Sequence, residues 1–267
     1  MQSQEDFFGF AAEVGLTKHI GGLDATDRLI ELCHIGKDSY VLDVGCGVGA
    51  TAVYLAKKVG CRVAGADILE GMVKRSRERA KRERVSELVE FRVADAVDLP
   101  FEDGLFDAVI TESVTVFPED KLKAVSEYVR VTKPGGYIGL NESTWLRVPP
   151  PPEIEAWVSQ DLGPHVKPLT SSGWVGLLEA NRLENINSHN YKINMKVEAK
   201  GIYRRYGFMG MMRILIRMSS LYRKNESYRK FVKRVRKEGI TPENLNDYFG
   251  YGIYVGHKLP GNPAGRN

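Results

Sequence analysis

The chain reads as an α/β protein with a doubly wound, mostly parallel seven-stranded sheet and a helical lid. Three observations predict this. An apolar run, Tyr40 to Leu42, ends in an acid and then in alternating glycines. Strand-length apolar runs alternate with helical-period segments through the first 145 residues, the order that builds a parallel sheet covered by helices. A long basic segment then separates the last two strand-like runs, too long a connection for a hairpin.

The elements follow in order. "YVLDVGCGVGA", Tyr40 to Ala50, sets Asp43, Gly45, Gly47 and Gly49 where a buried strand turns into a helix. Glycines there let backbone N–H groups approach a ligand that side chains would block. Gly45, Gly47 and Ala50 also satisfy the G-x-G-x-x-G/A pattern of dinucleotide-binding enzymes, so the spacing alone leaves the ligand open. "TAVYLAKKVG" is helical with Gly60 as its stop, and "CRVAGADI" is a second strand ending in Asp67. Asp67 lies 22 residues beyond Gly45, near the spacing of roughly 20 at which an acid meets a ribose hydroxyl pair.

"EGMVKRSRERAKRERV" is a charged helix, Val89 to Val93 a third strand and Phe106 to Thr111 a fourth. "PEDKLKAVSEYVRVTK" is helical, and Pro134-Gly135-Gly136 is expected to turn into a fifth strand. Pro149 to Pro152 make a rigid loop, and "LTSSGWVGLLEANRL" restarts a helix with Ser171 or Ser172 as its N-cap. "ENINSHNYKI" and "YGIYVGHKL" supply the last strands, and the C-terminal "GNPAGRN" is expected to fray. Ligands on such sheets sit at the carboxyl ends of the strands.

Composition narrows the class. At 267 residues and 43% hydrophobic the chain suits one large domain with a lid. No apolar stretch reaches the ~18 residues of a membrane span, and "MQSQEDFFGF" lacks a signal-peptide pattern, so a cytoplasmic location is expected. Cys33, Cys46 and Cys61 have no C-x-x-C spacing, which points to core or loop residues and to no metal site.

Charge is uneven. Residues 200–238 carry 13 Lys/Arg against 2 acids, while the remainder is net negative. Within this segment Phe208 to Leu221 is apolar and methionine-rich. Tyr228, Phe231, Val232 and Val235 then form a helical stripe beside Arg229, Lys230, Lys233, Arg234, Arg236 and Lys237. Such a helix suits either peripheral contact with a membrane surface or a solvated lid packed on the domain.

Taken together, these residues resemble class I S-adenosylmethionine-dependent methyltransferases. Asp43 with Gly45, Gly47 and Gly49 matches the family's acid plus G-x-G-x-G, Asp67 its second-strand acid, "ADAVDLPF" with Asp95 its adenine loop, and Pro134-Gly135-Gly136 the turn before its fifth strand. An acid two residues before the first glycine suits a ligand ammonium group and would repel a pyrophosphate, which favours the methyl donor over a nicotinamide dinucleotide. "LPFEDGLFDAVITES" and "VRVTKPGGYIGLNE" are similar to the ubiquinone/menaquinone-biosynthesis type of small-molecule methyltransferase, and "HIGGLDAT" resembles a segment that closes over donor and acceptor.

The resemblance implies a Rossmann-like methyltransferase fold with residues 1–36 as an N-terminal helical lid segment and 37–145 as the S-adenosylmethionine-binding core. Residues 146–199 complete the core, 200–248 form the basic helical insert acting as a substrate lid, and 249–267 give the last strand and tail. It implies cofactor contacts from Asp43, Gly45, Cys46, Gly47, Gly49, Asp67, Ile68, Asp95, Ala96 and Glu112. His19, Glu112 and Glu142 are the candidate catalytic residues, with Ser113 and Asn141 also placed toward the ligand crevice. Phe7, Phe8, Phe10, Trp145, Trp157 and Trp174 are candidates for an aromatic acceptor pocket or for cation–π contact with the sulfonium, although most of them are expected to pack in the lid or the core.

The expected activity is methyl transfer from S-adenosylmethionine, yielding S-adenosylhomocysteine, to a small hydrophobic or aromatic acceptor such as a quinone, phenol or lipid-like molecule. RNA methylation with the insert gripping phosphates is an alternative without a visible RNA-binding module, and a non-catalytic donor-binding scaffold is another.

Overall fold

The computed structural model describes residues 2–17, 19–162, 166–238 and 241–260. His165 and the "GNPAGRN" tail lie outside them, as do the side chains of Phe7 and of α9 beyond Lys233. The strands are β1 (Tyr40–Val44), β2 (Arg62–Asp67), β3 (Val89–Val93), β4 (Phe106–Glu112), β5 (Thr132–Trp145), β6 (Leu169–Thr170), β7 (Glu184–Lys192) and β8 (Phe249–His257). They form one sheet in the order β3-β2-β1-β4-β5-β8-β7, with the two-residue β6 beside the end of β5 as an eighth strand. All pairings from β3 to β5 are parallel, and β8 runs antiparallel between β5 and β7. Strand order reverses between β1 and β4, so a crevice opens at their carboxyl ends.

The helices are α1 (Gln2–Val14), α2 (Gly22–Leu32), α3 (Ala50–Lys58), α4 (Glu70–Glu83), α5 (Lys121–Val131), α6 (Pro152–Leu162), α7 (Ser171–Ala180), α8 (Met195–Lys224), α9 (Glu226–Glu238) and α10 (Leu245–Tyr248). Strand residues alternate between the two faces of the sheet, and each face has its own core. Val41 and Ile110 pack with Leu29 of α2, Val53 of α3 and Val73 of α4. Leu42, Val109 and Leu140 pack with Val125 of α5 and Trp174 of α7 on the other face. Burial on both faces is why β1 reads as a continuous apolar run.

Several expectations change. Pro134-Gly135-Gly136 is no turn before a strand but an outward excursion within β5: Phe106 pairs with Thr132, and the next paired residues are Ala108 and Tyr137. The Gly135 N–H donates to Lys258 O at 2.7 Å, which ties the excursion to the chain beyond β8. Thr170, rather than Ser171 or Ser172, caps α7, its hydroxyl accepting from Gly173 N at 3.1 Å.

The basic segment forms α8, broken at Gly207 (φ 62°, ψ 176°), and α9. α8 packs along α1 and α2. The apolar stripe of α9, Tyr228, Phe231 and Val232, is spent on Phe10 of α1 and Leu221 of α8. On α8 the outer residues Phe208, Met209, Leu215 and Ile216 are exposed. Among the described residues no helix is long and apolar enough to cross a membrane.

All three cysteines are free and buried, and burial pushes the Cys33 thiol up to about 12 and Cys61 to about 11. Thiols held so firmly protonated behave as small apolar residues.

Candidate active site

Acids stand at the carboxyl ends of successive strands. Asp43, next to last in β1, is 2% exposed, and its Oδ2 has no hydrogen-bond partner among the described residues. Burial and then the negative charge of Glu112 raise its carboxyl well above the usual range, with Arg205 pulling the other way. An unpartnered buried carboxylate oxygen is costly and is satisfied by a cationic ligand group.

Asp67 ends β2, accepting from Gly47 N at 2.8 Å and Leu69 N at 3.0 Å. It thereby fastens the glycine loop to the second strand. Ile68 beside it is 62% exposed. Beyond β3, Asp95 accepts from Val97 N at 3.1 Å and bridges Asp98, holding Ala96 in a tight loop.

The glycine loop is closely overlaid. Gly45 and Gly47 both have positive φ, which glycine adopts without strain. A Cβ at Gly45 would stand 2.2 Å from Val114 Cγ2, and one at Gly47 3.0 Å from Thr17 Cγ2. Thr17 belongs to the segment between α1 and α2, and it is pinned from α8: Tyr206 OH donates to Thr17 O at 2.6 Å and accepts from Thr17 N at 2.8 Å.

Glu112, at the end of β4, lies under this segment. Its Oε1 accepts from Thr26 of α2 at 2.8 Å and its Oε2 from Thr51 of α3 at 2.6 Å. Burial raises its pKa, opposed mainly by the charge of Arg205. His19 Nε2 stands 3.2 Å from Glu112 Oε2. Burial and then Arg205 hold the imidazole well below its ordinary pKa, so the ring is neutral and the contact is no ion pair. Nδ1 lies 3.3 Å from Ile20 O and 3.2 Å from Asn141 Nδ2, and Nε2 meets Arg205 Nη2. Asn141 of β5, paired with Glu112 across the sheet, donates to Ile20 O at 2.8 Å, and its Oδ1 has no partner.

Glu142 is placed differently. It is fully buried, its Oε1 accepting from Thr111 Oγ1, Val114 N and Thr115 N and its Oε2 from Val116 N. Those bonds shape the loop after β4 and carry Val114 onto Gly45. Ser113, at positive φ, receives the Ile20 N–H on its hydroxyl at 3.4 Å and so ties the same loop to the N-terminal segment.

The fold thus brings His19, Asp43, Glu112 and Asn141 together and sets Asp67, Ile68 and Asp95 along one rim. Sequence reasoning missed Thr17, Thr26, Thr51, Arg205 and Tyr206. The first two fall in or beside "HIGGLDAT", whereas Arg205 reaches His19 across 186 residues with no local signal. The aromatic candidates whose side chains are described pack against neighbouring elements. Trp174 is buried beneath the sheet, its Nε1 donating to Ser143 O, while Trp145 and Trp157 pack with Phe249. Phe10 packs on α9, and Phe8 meets Phe117 edge-on at 5.3 Å.

Comparison with known proteins bears on the family and the fold. Residues 42–140 match a family model described as a methyltransferase domain. An uncharacterized protein of Haemophilus influenzae is 32% identical over 236 residues, 87% of this chain and 93% of its own length. The chloroplastic tocopherol O-methyltransferase of Arabidopsis thaliana is 33% identical over 164 residues, 58% of this chain and 47% of that protein. A solved structure of phosphoethanolamine N-methyltransferase 2 from Haemonchus contortus, in complex with S-adenosyl-L-methionine, shares the fold with a TM-score of 0.70 at 19% identity, covering 97% of this chain and 56% of that one. The chain spans about half the length of these two named enzymes.

Proposed function

Since the chain belongs to the S-adenosylmethionine-dependent methyltransferases, we propose that it methylates a small hydrophobic or aromatic acceptor held beside His19, Glu112 and Asn141. The unpartnered Asp43 Oδ2, buried at the end of β1, carries this reading, because it suits the donor's ammonium group. When bound, S-adenosylmethionine supplies a methyl group already activated for in-line displacement. The protein's task is then orientation and exclusion of water.

The residues divide that task. Backbone at Gly45, Cys46, Gly47 and Gly49 would lie along the donor, Asp67 would accept from its ribose, and Ile68, Asp95 and Ala96 would hold its adenine. Neutral His19 is the base for an O–H or N–H acceptor, and it becomes available when Arg205 leaves Nε2. Glu112 holds α2 and α3 in register through Thr26 and Thr51 and adds negative potential beside Asp43. Glu142 acts by position, through the loop that closes on Gly45.

The tocopherol enzyme supports a hydrophobic acceptor. The ubiquinone/menaquinone type remains our narrower reading. Of the basic segment, Arg205, Arg213 and Arg217 line a cavity beneath α8, whereas Arg223, Lys224, Lys230 and Lys233 are exposed, and the test below separates RNA from a small acceptor. We assign any membrane contact to the exposed outer face of α8, since that of α9 is covered.

The test is calorimetric titration with S-adenosylhomocysteine and with NADH on one sample, followed by methyl-labelled donor with quinones, phenols and lipids. S-adenosylhomocysteine is expected to bind and label to appear in one acceptor class. Binding of NADH alone would overturn the reading. Donor bound tightly but never consumed would point to a scaffold, and label in RNA with steep salt dependence to the nucleic-acid alternative.

A further inference from the structure

A cavity of about 430 Å³ lies between α3, α4 and α8 and meets the reaction site at Arg205 and Tyr206. Its walls carry eight Lys or Arg side chains against one carboxylate, Glu83. Half of these cations are paired. Lys57 and Arg82 share Glu83 at 3.0 and 3.5 Å, Lys58 meets Asp27 at 2.6 Å, and Arg204 meets Asp24 at 2.5 Å. Among the described residues, no carboxylate comes within ion-pair distance of Arg79, Arg205, Arg213 or Arg217, and of these Arg205 alone acts electrostatically on the buried Asp43 and Glu112. Cations gathered around one space repel unless an anion enters it.

The walls are also built. Arg79 is buried, its Nε donates to Val48 O at 2.9 Å, and its guanidinium stacks on the Tyr206 ring at 4.8 Å. Arg213 and Arg217, four residues apart on α8, face inward. Gly15 has φ +77°, and a Cβ there would stand 2.5 Å from Arg217 Nη1, so the glycine admits Arg217 to the wall. Gly207 and Gly210 bring no side chain into the space from α8. Burial and neighbouring cations lower the pKa of both Arg79 and Arg217.

We propose that this cavity binds a multiply charged anion of the phosphate class, a phosphomonoester or diphosphate group, among Arg79, Arg205, Arg213 and Arg217. Its volume suits a small phosphorylated molecule, within the range of roughly 300–1,000 Å³ for ligand pockets. Guanidinium forks match phosphate oxygens in pairs. Arg205 also touches His19 Nε2, so a bound anion competes with His19 for it. The assignment stands apart from the identity of the methyl acceptor.

The probe is inorganic pyrophosphate, titrated by calorimetry at fixed ionic strength into the full chain. Saturable one-to-one binding is expected, weakened about tenfold or more in the double variant Arg213→Gln/Arg217→Gln. Affinity for S-adenosylhomocysteine should be unchanged in that variant, which also establishes that it folds. The milder Arg213→Lys/Arg217→Lys pair should retain a larger part of the affinity.

Phosphatidic acid vesicles separate two sources of the anion. Displacement of pyrophosphate by vesicles identifies a lipid headgroup, and its retention identifies a soluble phosphoester; both support the site. No binding above that of chloride at equal ionic strength, or binding undiminished in the double glutamine variant, overturns it.

Discussion

Tyr206 and Thr17 hold each other through two hydrogen bonds, the phenol donating to Thr17 O at 2.6 Å and accepting from Thr17 N at 2.8 Å. The pair joins α8 to the segment that crosses the glycine loop. Thr17 lies close enough to Gly47 that any side chain there would press on it. α8, the Thr17 segment and the glycine loop therefore form one stack, and a change at Tyr206 is felt at the glycine loop without contacting it.

Tyr206→Phe removes both bonds and keeps the ring that stacks on Arg79. Each net hydrogen bond contributes about 0.5–1.5 kcal/mol, so Tm should fall by roughly 2–6 °C. Amide hydrogen exchange at residues 16–20 should accelerate more than in the sheet. Exchange unchanged at Thr17 would mean that the segment is held by other contacts.

Asp67→Ala should weaken S-adenosylhomocysteine binding by ~1.5–3 kcal/mol, roughly ten- to a hundredfold, measured by calorimetry. It removes the proposed ribose acceptor and also frees the Gly47 and Leu69 N–H groups. Asp67→Asn, which keeps one carbonyl oxygen, should lose less. Unchanged affinity in both variants would show that the end of β2 does not touch the donor.

Glu142→Gln tests a positioning role. The amide replaces one acceptor oxygen with a donor facing N–H groups, so a stability loss of about 2–3 kcal/mol by urea unfolding is expected. Turnover should fall because the loop carrying Val114 shifts, while the pH profile keeps its shape. A changed pH profile at preserved stability would instead make Glu142 a proton-transfer group.

The contrast between β1 and α9 shows what the sequence made legible. The run into Asp43 and the glycines could be placed because burial on both faces demands continuous apolar residues and the turn demands glycine. Asp67, Glu112 and Asn141 then followed from strand order. The α9 stripe was equally visible, but periodicity says that a helix has an apolar face and not what meets it; here that is Phe10. Arg205 and the basic cavity were invisible because their partners come from α2, α3 and α4, far off in the chain. Pro134 to Gly136 misled because the same residues that make a turn also make an excursion within a strand.

Asp43→Asn should change how stability depends on pH. Burial and Glu112 raise the Asp43 pKa in the folded chain above its unfolded value of about 3.9. Between those two values the folded state holds a proton that the unfolded state has released, so this group's contribution to stability is lost as pH rises through the folded pKa. His19, whose folded pKa is lowered, acts with the opposite sign below its unfolded value of about 6.5, but it is present in both proteins and largely cancels in their difference.

The wild type should therefore lose more stability than the Asp43→Asn variant in urea unfolding from about pH 5 to about pH 8. Glu112 adds to the effect, because neutralising its neighbour lets its own pKa fall. Saturating S-adenosylhomocysteine, whose ammonium group we propose compensates Asp43, should stabilise the wild type more than the variant, and increasingly so at the higher pH. Parallel curves without ligand would mean that Asp43 titrates as an exposed acid, and equal stabilisation by ligand would mean that its ammonium group lies elsewhere.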